Sequence, residues 1–186
     1  MVCTIDYIDN WLKANLTEER YQHSLGTAEC AKSLAKKYGL DTDKAYLTGL
    51  IHDCAKCLSD EEFLTYENLL EDFEKPSKKT WHAPVGAYIA KTVYGIDDEE
   101  ILSAIRWHTV GKKDMTCLEK IIFLADKIEP NTRDKEYREK ISNLLKENEG
   151  LNKALLECYK QTIKSLVKRN LKICPVTVDI YNNLLK

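Results

Sequence analysis

Histidines and aspartates at four positions of this chain have the types and the order of a metal-ligand set. His23 comes first, the pair His52-Asp53 follows after 28 intervening residues, and Asp126 comes after 72 more. Neutral imidazole nitrogens and carboxylate oxygens together suit iron, manganese, zinc or cobalt. Because His-Asp is a common dipeptide, the order of the set is more specific than the pair alone, and it predicts a transition-metal site.

The surroundings of the two aspartates favour a bound cation. Asp126 directly follows the apolar run 121–125, and Asp53 follows the largely apolar segment 49–51 and His52. A buried carboxylate is costly unless its charge is compensated. One cation would compensate both carboxylates and would join the three helices on which the candidate ligands are predicted to lie.

The elements that must position these residues are predicted to be helices. Glycine and proline are scarce, at seven and four residues, and apolar residues recur at spacings of three and four, most clearly from Glu18 to Tyr38. We therefore expect an all-α fold of about nine helices in a single compact domain over residues 1–186. Its metal-binding core would span about 17–130, with C-terminal helices at 138–186 packed on it. Predicted helices include 44–54, 60–74, 85–93, 115–128 and 152–171.

Composition and charge fit a globular protein without a nucleic-acid or membrane partner. The chain is 44% apolar and 31% charged, and its formal net charge is −2. No run approaches the roughly 18 apolar residues of a membrane helix, and no signal-peptide pattern opens the sequence. These features predict a cytoplasmic location.

Cysteines and lysines offer two weaker patterns. Seven cysteines at irregular spacing predict reduced thiols, and Cys54 and Cys57 are interpreted as partly buried thiols on a helix rather than a redox pair or half a zinc site. Near the C-terminus a lysine recurs at every fourth residue, a pattern that predicts the solvent-facing side of a helix. The alternative is a basic stripe that attracts a polyanion. These lysines are Lys160, Lys164, Lys168 and Lys172.

The longer sequence blocks around the candidate residues resemble a known family. The order His…His-Asp…Asp on helices is the signature of the HD superfamily of metal-dependent phosphohydrolases. Within it, the chain is similar to the YqeK family from about Thr17 to Asn182. The similar blocks are Arg20–Gly26, Gly49–Lys56, His82–Tyr88, Ala104–Gly111, Leu118–Pro130 and, near the end, Ile173–Thr177 with Tyr181–Asn182.

This resemblance implies a hydrolase, a symmetrical bis(5'-nucleosyl)-tetraphosphatase. Such an enzyme splits diadenosine tetraphosphate into two ADP by attack of a metal-bound hydroxide on a phosphate. Its partners would be a dinucleoside polyphosphate or another nucleotide and a second copy of the chain. Its cofactor would be a divalent or mixed-valence transition metal, iron above others, as one or two ions held by His23, His52, Asp53 and Asp126.

The resemblance also implies roles for residues outside the metal-ligand set. Asp53, Lys56, His82 and His108 are the expected catalytic residues. His82 and His108 are expected to bind phosphate and act as acids; the alternative is that they hold a second ion. The expected substrate-binding residues are Arg20, Lys56, His82, His108, Arg133 and Thr177.

Arg133 marks a departure from the family pattern. The family has Asn or Gly and then Arg directly after Glu-Pro, followed by Phe-Pro-Gly, whereas Arg133 is displaced by one position and Phe-Pro-Gly is absent. Two other functions stay open. One is an HD-type nucleotidase or deoxynucleotide phosphohydrolase, and the other is a non-catalytic nucleotide-binding module.

Overall fold

The computed structural model describes residues 3–70, 78–131 and 133–185, and these residues form helices and loops without a strand. Ten α-helices are present in this part of the chain, against about nine expected, so the predicted all-α class is confirmed. Short 3-10 helices lie at Glu67–Leu69 and Lys78–Thr80. The α-helices are α1 (Ile5–Asn15), α2 (Glu18–Tyr38), α3 (Thr42–Ile51), α4 (Asp60–Leu64), α5 (His82–Thr92), α6 (Glu99–Trp107), α7 (Cys117–Ile128), α8 (Lys135–Leu144), α9 (Gly150–Lys168) and α10 (Pro175–Leu184).

Side-chain caps fix where the site-bearing helices begin. Thr17 and Asp41 accept hydrogen bonds from backbone N–H groups of the first turns of α2 and α3, as polar N-cap residues do. At α7, Thr116 and Glu119 form a reciprocal capping box. These caps satisfy backbone N–H groups that the first helical turns would otherwise leave without a partner.

Two clusters of buried apolar side chains form the core. The first joins α1, α3, α5 and α6, and the second surrounds α7 together with α8, α9 and α10. Helices α2, α3 and α6 contribute to both clusters. Because His23 lies on α2 and His52 and His108 follow α3 and α6 directly, these histidines lie where the two clusters meet.

A close helix contact sets the distance between α2 and α3. A Cβ on Gly49 would lie 2.9 Å from Ala28 Cα and 3.0 Å from the Thr27 carbonyl, so only glycine allows this approach. The contact brings His52, three residues after Gly49, toward the face of α2 that carries His23.

The structure corrects the predicted end of α3. The helix was expected to reach Cys54 but ends at Ile51. The imidazole of His52 contacts the Gly49 carbonyl oxygen at 2.6 Å, and this is the acceptor that a continuing helix would offer to Asp53 N–H. Cys54 and Cys57 therefore lie in the turns after the helix rather than on a helix as expected. Cys54 is buried and Cys57 is exposed.

Other helix boundaries also differ from the sequence prediction, those of α5 and α7 by three residues or fewer. The acidic helix expected at 60–74 ends at Leu64, where the Thr65 hydroxyl donates to the Glu62 carbonyl and competes with helical bonding; residues 71–77 lie outside the described part. Helix α9 spans Gly150–Lys168 instead of 152–171. Lys164, Lys168 and Lys172 are exposed, and Lys160 is half-buried.

No helix in the described part of the chain has both the length and the apolar character that crossing a membrane requires.

Candidate active site

All four histidines of the chain converge with Asp53 and Asp126 in one buried cluster. His23 comes from α2 and Asp126 from α7. His52 and His108 are the residues that directly follow α3 and α6, and His82 begins α5. The histidines and Asp53 are at most 3% exposed, and the Asp126 side chain is 15% exposed. Asp126 therefore faces the opening of the cluster.

His52 presents a nitrogen to the interior that lacks a hydrogen-bond partner in the described structure. Its Nδ1 lies 2.6 Å from the Gly49 carbonyl oxygen, so a neutral ring donates from Nδ1 and has its lone pair on Nε2. The Nε2 atom is fully buried without a hydrogen bond. Such an orphaned polar atom is costly, and a cation at this place would remove the cost.

His23 is held at both of its ring nitrogens by carboxylates. Its Nε2 lies 3.0 Å from Asp126 Oδ1, and its Nδ1 lies 3.0 Å from Glu129 Oε1. Glu129 follows α7 and is completely buried. Glu129 was absent from the sequence-predicted site, although it stands within the Leu118–Pro130 block that carries the family resemblance.

Asp53 lies between two sides of the cluster. Its Oδ2 is 3.8 Å from His23 Nε2 and 3.8 Å from His52 Nε2. Its Oδ1 is 3.1 Å from His82 Nε2 and 3.4 Å from His108 Nε2. One carboxylate therefore contacts all four histidines.

The spacing of these atoms is compatible with a bound cation within each of two overlapping groups of residues. Ligand atoms that share one ion at about 2.0–2.2 Å lie no more than about 4.4 Å apart. His23 Nε2 and His52 Nε2 lie 3.0 Å and 3.8 Å from Asp126 Oδ1, and both lie 3.8 Å from Asp53 Oδ2. Two overlapping groups have metal-binding spacing, His23 with His52 and Asp126, and His52 with Asp53 and His108.

The charges of the cluster keep both aspartates ionised. Burial acts to raise the pKa of Asp53, but the neighbouring imidazoles of His52, His108 and His82 hold it well below its usual range. Burial likewise acts to raise the pKa of Asp126, but the charge of Lys127 and the neighbouring imidazoles of His23 and His52 hold it well below the ordinary value. Two anionic carboxylates therefore face the centre of the cluster.

The histidine pKa values differ across the cluster. Burial acts to lower the pKa of His52, but the Asp53 and Asp126 carboxylates outweigh it, so that this pKa is raised. Burial dominates at His82 and His108. It lowers the pKa of His82 and brings the pKa of His108 to about 4, although the contacts with Asp53 act to raise both values. His108 is thus neutral at neutral pH, a form in which its Nε2 can bind a cation or accept a hydrogen bond.

Cationic side chains surround the opening. Lys56 Nζ lies 3.0 Å from His82 Nε2, and burial lowers the Lys56 pKa against the attraction of Asp53. Arg20 Nη1 is 3.6 Å from Asp53 Oδ2, and Arg133 Nη2 is 2.8 Å from Asp126 Oδ1. Both arginine side chains are more than a third exposed, so each reaches from solvent to the cluster. Arg133 does so despite its displacement in the sequence.

Thr177 is the sequence-predicted site residue that the structure does not bring into the cluster. It is buried on α10, a helix that packs on α9, and among the described residues no hydrogen bond joins it to the histidines or aspartates. The other candidates, from Arg20 to Arg133, all contact a member of the cluster.

Comparison with known proteins places this helical cluster in a family. Residues 20–131 match the HD domain family. This range includes every residue of the cluster. The chain belongs to the HD domain family of metal-dependent phosphohydrolases and, within it, to the YqeK family.

Individual relatives match over almost the whole chain. A protein of Halalkalibacterium halodurans named "Bis(5'-nucleosyl)-tetraphosphatase, symmetrical" is 45% identical over 94% of this chain and 93% of its own length. A Bacillus subtilis protein of the same name is 39% identical over 94% of each chain. A crystal structure from Clostridium acetobutylicum, described as a predicted HD superfamily hydrolase involved in NAD metabolism, is 39% identical, with a TM-score of 0.92 over 100% of this chain and 98% of that chain.

Proposed function

We propose that this chain is a metal-dependent hydrolase that cleaves diadenosine tetraphosphate symmetrically into two ADP. The observation that carries the proposal is the buried cluster in which His52 Nε2 has no hydrogen bond and lies 3.8 Å from two ionised aspartates. The reaction class is supported by the relatives of 39–45% identity that have this activity in their names.

We infer that His23, His52, Asp53 and Asp126 hold a divalent cation, iron or manganese. When bound, the cation would lower the pKa of a water near neutral pH and neutralise charge on a phosphoryl oxygen. Iron itself and the homodimer implied by the family resemblance stay predictions.

Asp53 has the geometry to link the metal side of the cluster to the substrate side. Its Oδ2 faces His23 and His52, while its Oδ1 faces His82 and His108. In the proposed reaction, Asp53 orients the attacking water by accepting its hydrogen bond. Attack at the second phosphate from one nucleoside, in line with the departing ADP oxygen, leaves ADP on both sides of the broken bond.

The remaining polar residues would bind the polyphosphate. His82 and His108, whose Nε2 atoms lie 3.2 Å apart, would hydrogen-bond phosphoryl oxygens. The negative charge of a bound polyphosphate would raise the pKa of these imidazoles, so that one of them protonates the leaving oxygen. Lys56 contacts His82 and neutralises phosphate charge beside it. Arg20 and Arg133 reach in from the exposed rim and would bind the phosphates that extend out of the cluster.

Product analysis tests the activity. Purified protein loaded with Mn²⁺ or Fe²⁺ should convert diadenosine tetraphosphate to ADP alone, two per substrate, by ion-exchange chromatography. Asp53→Asn protein that is expressed and purified in the same way is the control for contaminating hydrolases. Formation of ATP plus AMP would mean that a different phosphate bond is cleaved and would contradict symmetrical cleavage. Hydrolysis of AMP or dAMP with an untouched tetraphosphate would instead favour the nucleotidase.

Metal counting tests the roles of His82 and His108. His82→Ala and His108→Ala should retain the wild-type number of ions per chain by elemental analysis, because in our proposal they bind phosphate. Their kcat/KM should fall by about 10²-fold or more, the usual contribution of a proton donor. Loss of one ion per chain in either variant would assign these residues to a second metal and overturn the phosphate role.

A further inference from the structure

Glu129 is a completely buried carboxylate that contacts His23 on the side away from the cluster. We propose that it is a positioning residue, which orients His23 and strengthens it as a metal ligand. This inference rests on the proposed metal-dependent function. It assigns a role to a residue that does not itself contact the ion.

The contact determines which His23 nitrogen keeps its proton when a cation binds at the other. Glu129 Oε1 lies 3.0 Å from His23 Nδ1, while His23 Nε2 lies 3.0 Å from Asp126 Oδ1 inside the cluster. Both carboxylates can only accept, but a cation shared with Asp126 would take the place of a proton on Nε2. Glu129 would then hold the proton of the neutral imidazole on Nδ1 and leave the Nε2 lone pair toward the metal position. A carboxylate partner also raises the basicity of the ligating nitrogen.

His52 and His108 are held differently. His52 Nδ1 and His108 Nδ1 lie 2.6 Å and 2.7 Å from the backbone carbonyl oxygens of Gly49 and Ile105. Those carbonyls fix the ring orientation without a formal charge. His23 has the Glu129 carboxylate at the corresponding place, so we expect it to be a stronger donor than either.

Local structure holds the Glu129 carboxylate in this position. Pro130 favours an extended backbone at the preceding residue, and Glu129 has ψ of 146° where α7 ends. Its Oε2 accepts the Asn131 N–H at 2.6 Å, and Asn131 Nδ2 donates to the Gln22 carbonyl at 2.7 Å. This loop therefore ties the carboxylate to the turn of α2 that carries His23.

Gly26 provides the space that the carboxylate occupies. It lies three residues after His23 on α2, and a Cβ there would overlap Glu129 Oε2. The next contact of that Cβ, Asn131 Nδ2 at 3.0 Å, is the end of a movable side chain. Helix α2 thus has a residue of poor helix propensity where the carboxylate needs room.

Metal affinity measures the proposed role without catalysis. We expect Glu129→Ala to weaken Mn²⁺ binding, followed by calorimetry on the full chain, by about 10- to 100-fold, the usual effect of removing such a partner. Glu129→Gln keeps the volume and one acceptor oxygen, and its loss should be smaller. Glu119→Gln is the matched control, since Glu119 is 1% exposed on α7, the helix that Glu129 follows, and accepts hydrogen bonds from the Ser103 hydroxyl and the Thr116 N–H away from the cluster.

Two further measurements separate positioning from structural support. Gly26→Ala should weaken Mn²⁺ binding in the wild type but have little further effect in the Glu129→Ala background, because the clash is then gone. In the Zn²⁺-loaded protein, the His23 Nδ1 proton should give a slowly exchanging nitrogen–proton NMR signal. That signal should weaken in Glu129→Gln and disappear in Glu129→Ala.

The outcomes distinguish this inference from the proposed function. If wild-type protein does not bind Mn²⁺, the proposed function fails. If wild type binds Mn²⁺ and folded Glu129→Gln and Glu129→Ala bind it equally well, Glu129 has no positioning role. Should Glu129→Ala fail to fold, equal affinity of Glu129→Gln and wild type with an unchanged His23 signal overturns the inference.

Discussion

Asp53→Asn is expected to lower kcat for diadenosine tetraphosphate by at least about 10³-fold, equivalent to about 4 kcal/mol of transition-state stabilisation. The substitution preserves size but removes the negative charge that faces all four histidines. It therefore removes a proposed metal ligand and the group that orients the attacking water. Steady-state kinetics at saturating Mn²⁺ measures the effect.

The matched control for this variant is Asp43→Asn. Asp43 is an exposed residue in the first turn of α3, the helix that Asp53 closely follows, and its substitution should leave kcat within about twofold of wild type because surface changes are usually nearly neutral. Activity of Asp53→Asn equal to that of the control would refute the assignment of the cluster as the catalytic site.

Metal-dependent thermal stabilisation is the second large expected effect. At free Mn²⁺ of about 100 times Kd, binding to the folded state stabilises it by about 2.7 kcal/mol. For a chain of this size that corresponds to a rise in Tm of roughly 5–11 °C. His52→Ala removes the central nitrogen donor and should abolish the rise, whatever its effect on the metal-free protein.

His82→Ala serves as the control for the stabilisation experiment. It removes another buried imidazole of the same cluster, but one that we assign to phosphate binding, so it should retain most of the Mn²⁺-induced rise. Scanning calorimetry with and without a chelator compares the three proteins. An unchanged rise in His52→Ala would mean that Mn²⁺ binds elsewhere.

The helical class could be predicted from the sequence because its signals are local. Apolar spacing from Glu18 to Tyr38, with Gly39 after it, matches α2 residue for residue. The end of α3 could not be predicted in the same way. It depends on the His52 ring contacting the Gly49 carbonyl, and a side chain competing with the backbone leaves no mark on apolar periodicity.

The convergence of His23, His52, Asp53 and Asp126 could be anticipated because burying carboxylates without compensation is costly. Glu129 was missed because its role depends on a three-dimensional neighbour. Its buried carboxylate fits only because Gly26, 103 positions away in the sequence, has no side chain. Thr177 was chosen from resemblance alone, and the structure places it on α10 without a hydrogen bond to the cluster in the described residues.

Anomalous scattering from a crystal grown with Mn²⁺ tests most directly whether these side chains share an ion. We predict a manganese peak about 2.0–2.2 Å from Nε2 of His23 and His52 and from carboxylate oxygens of Asp53 and Asp126. The same crystal form of Asp53→Asn should show a weaker peak. A fully occupied manganese peak elsewhere, with none between these four residues, would contradict the account.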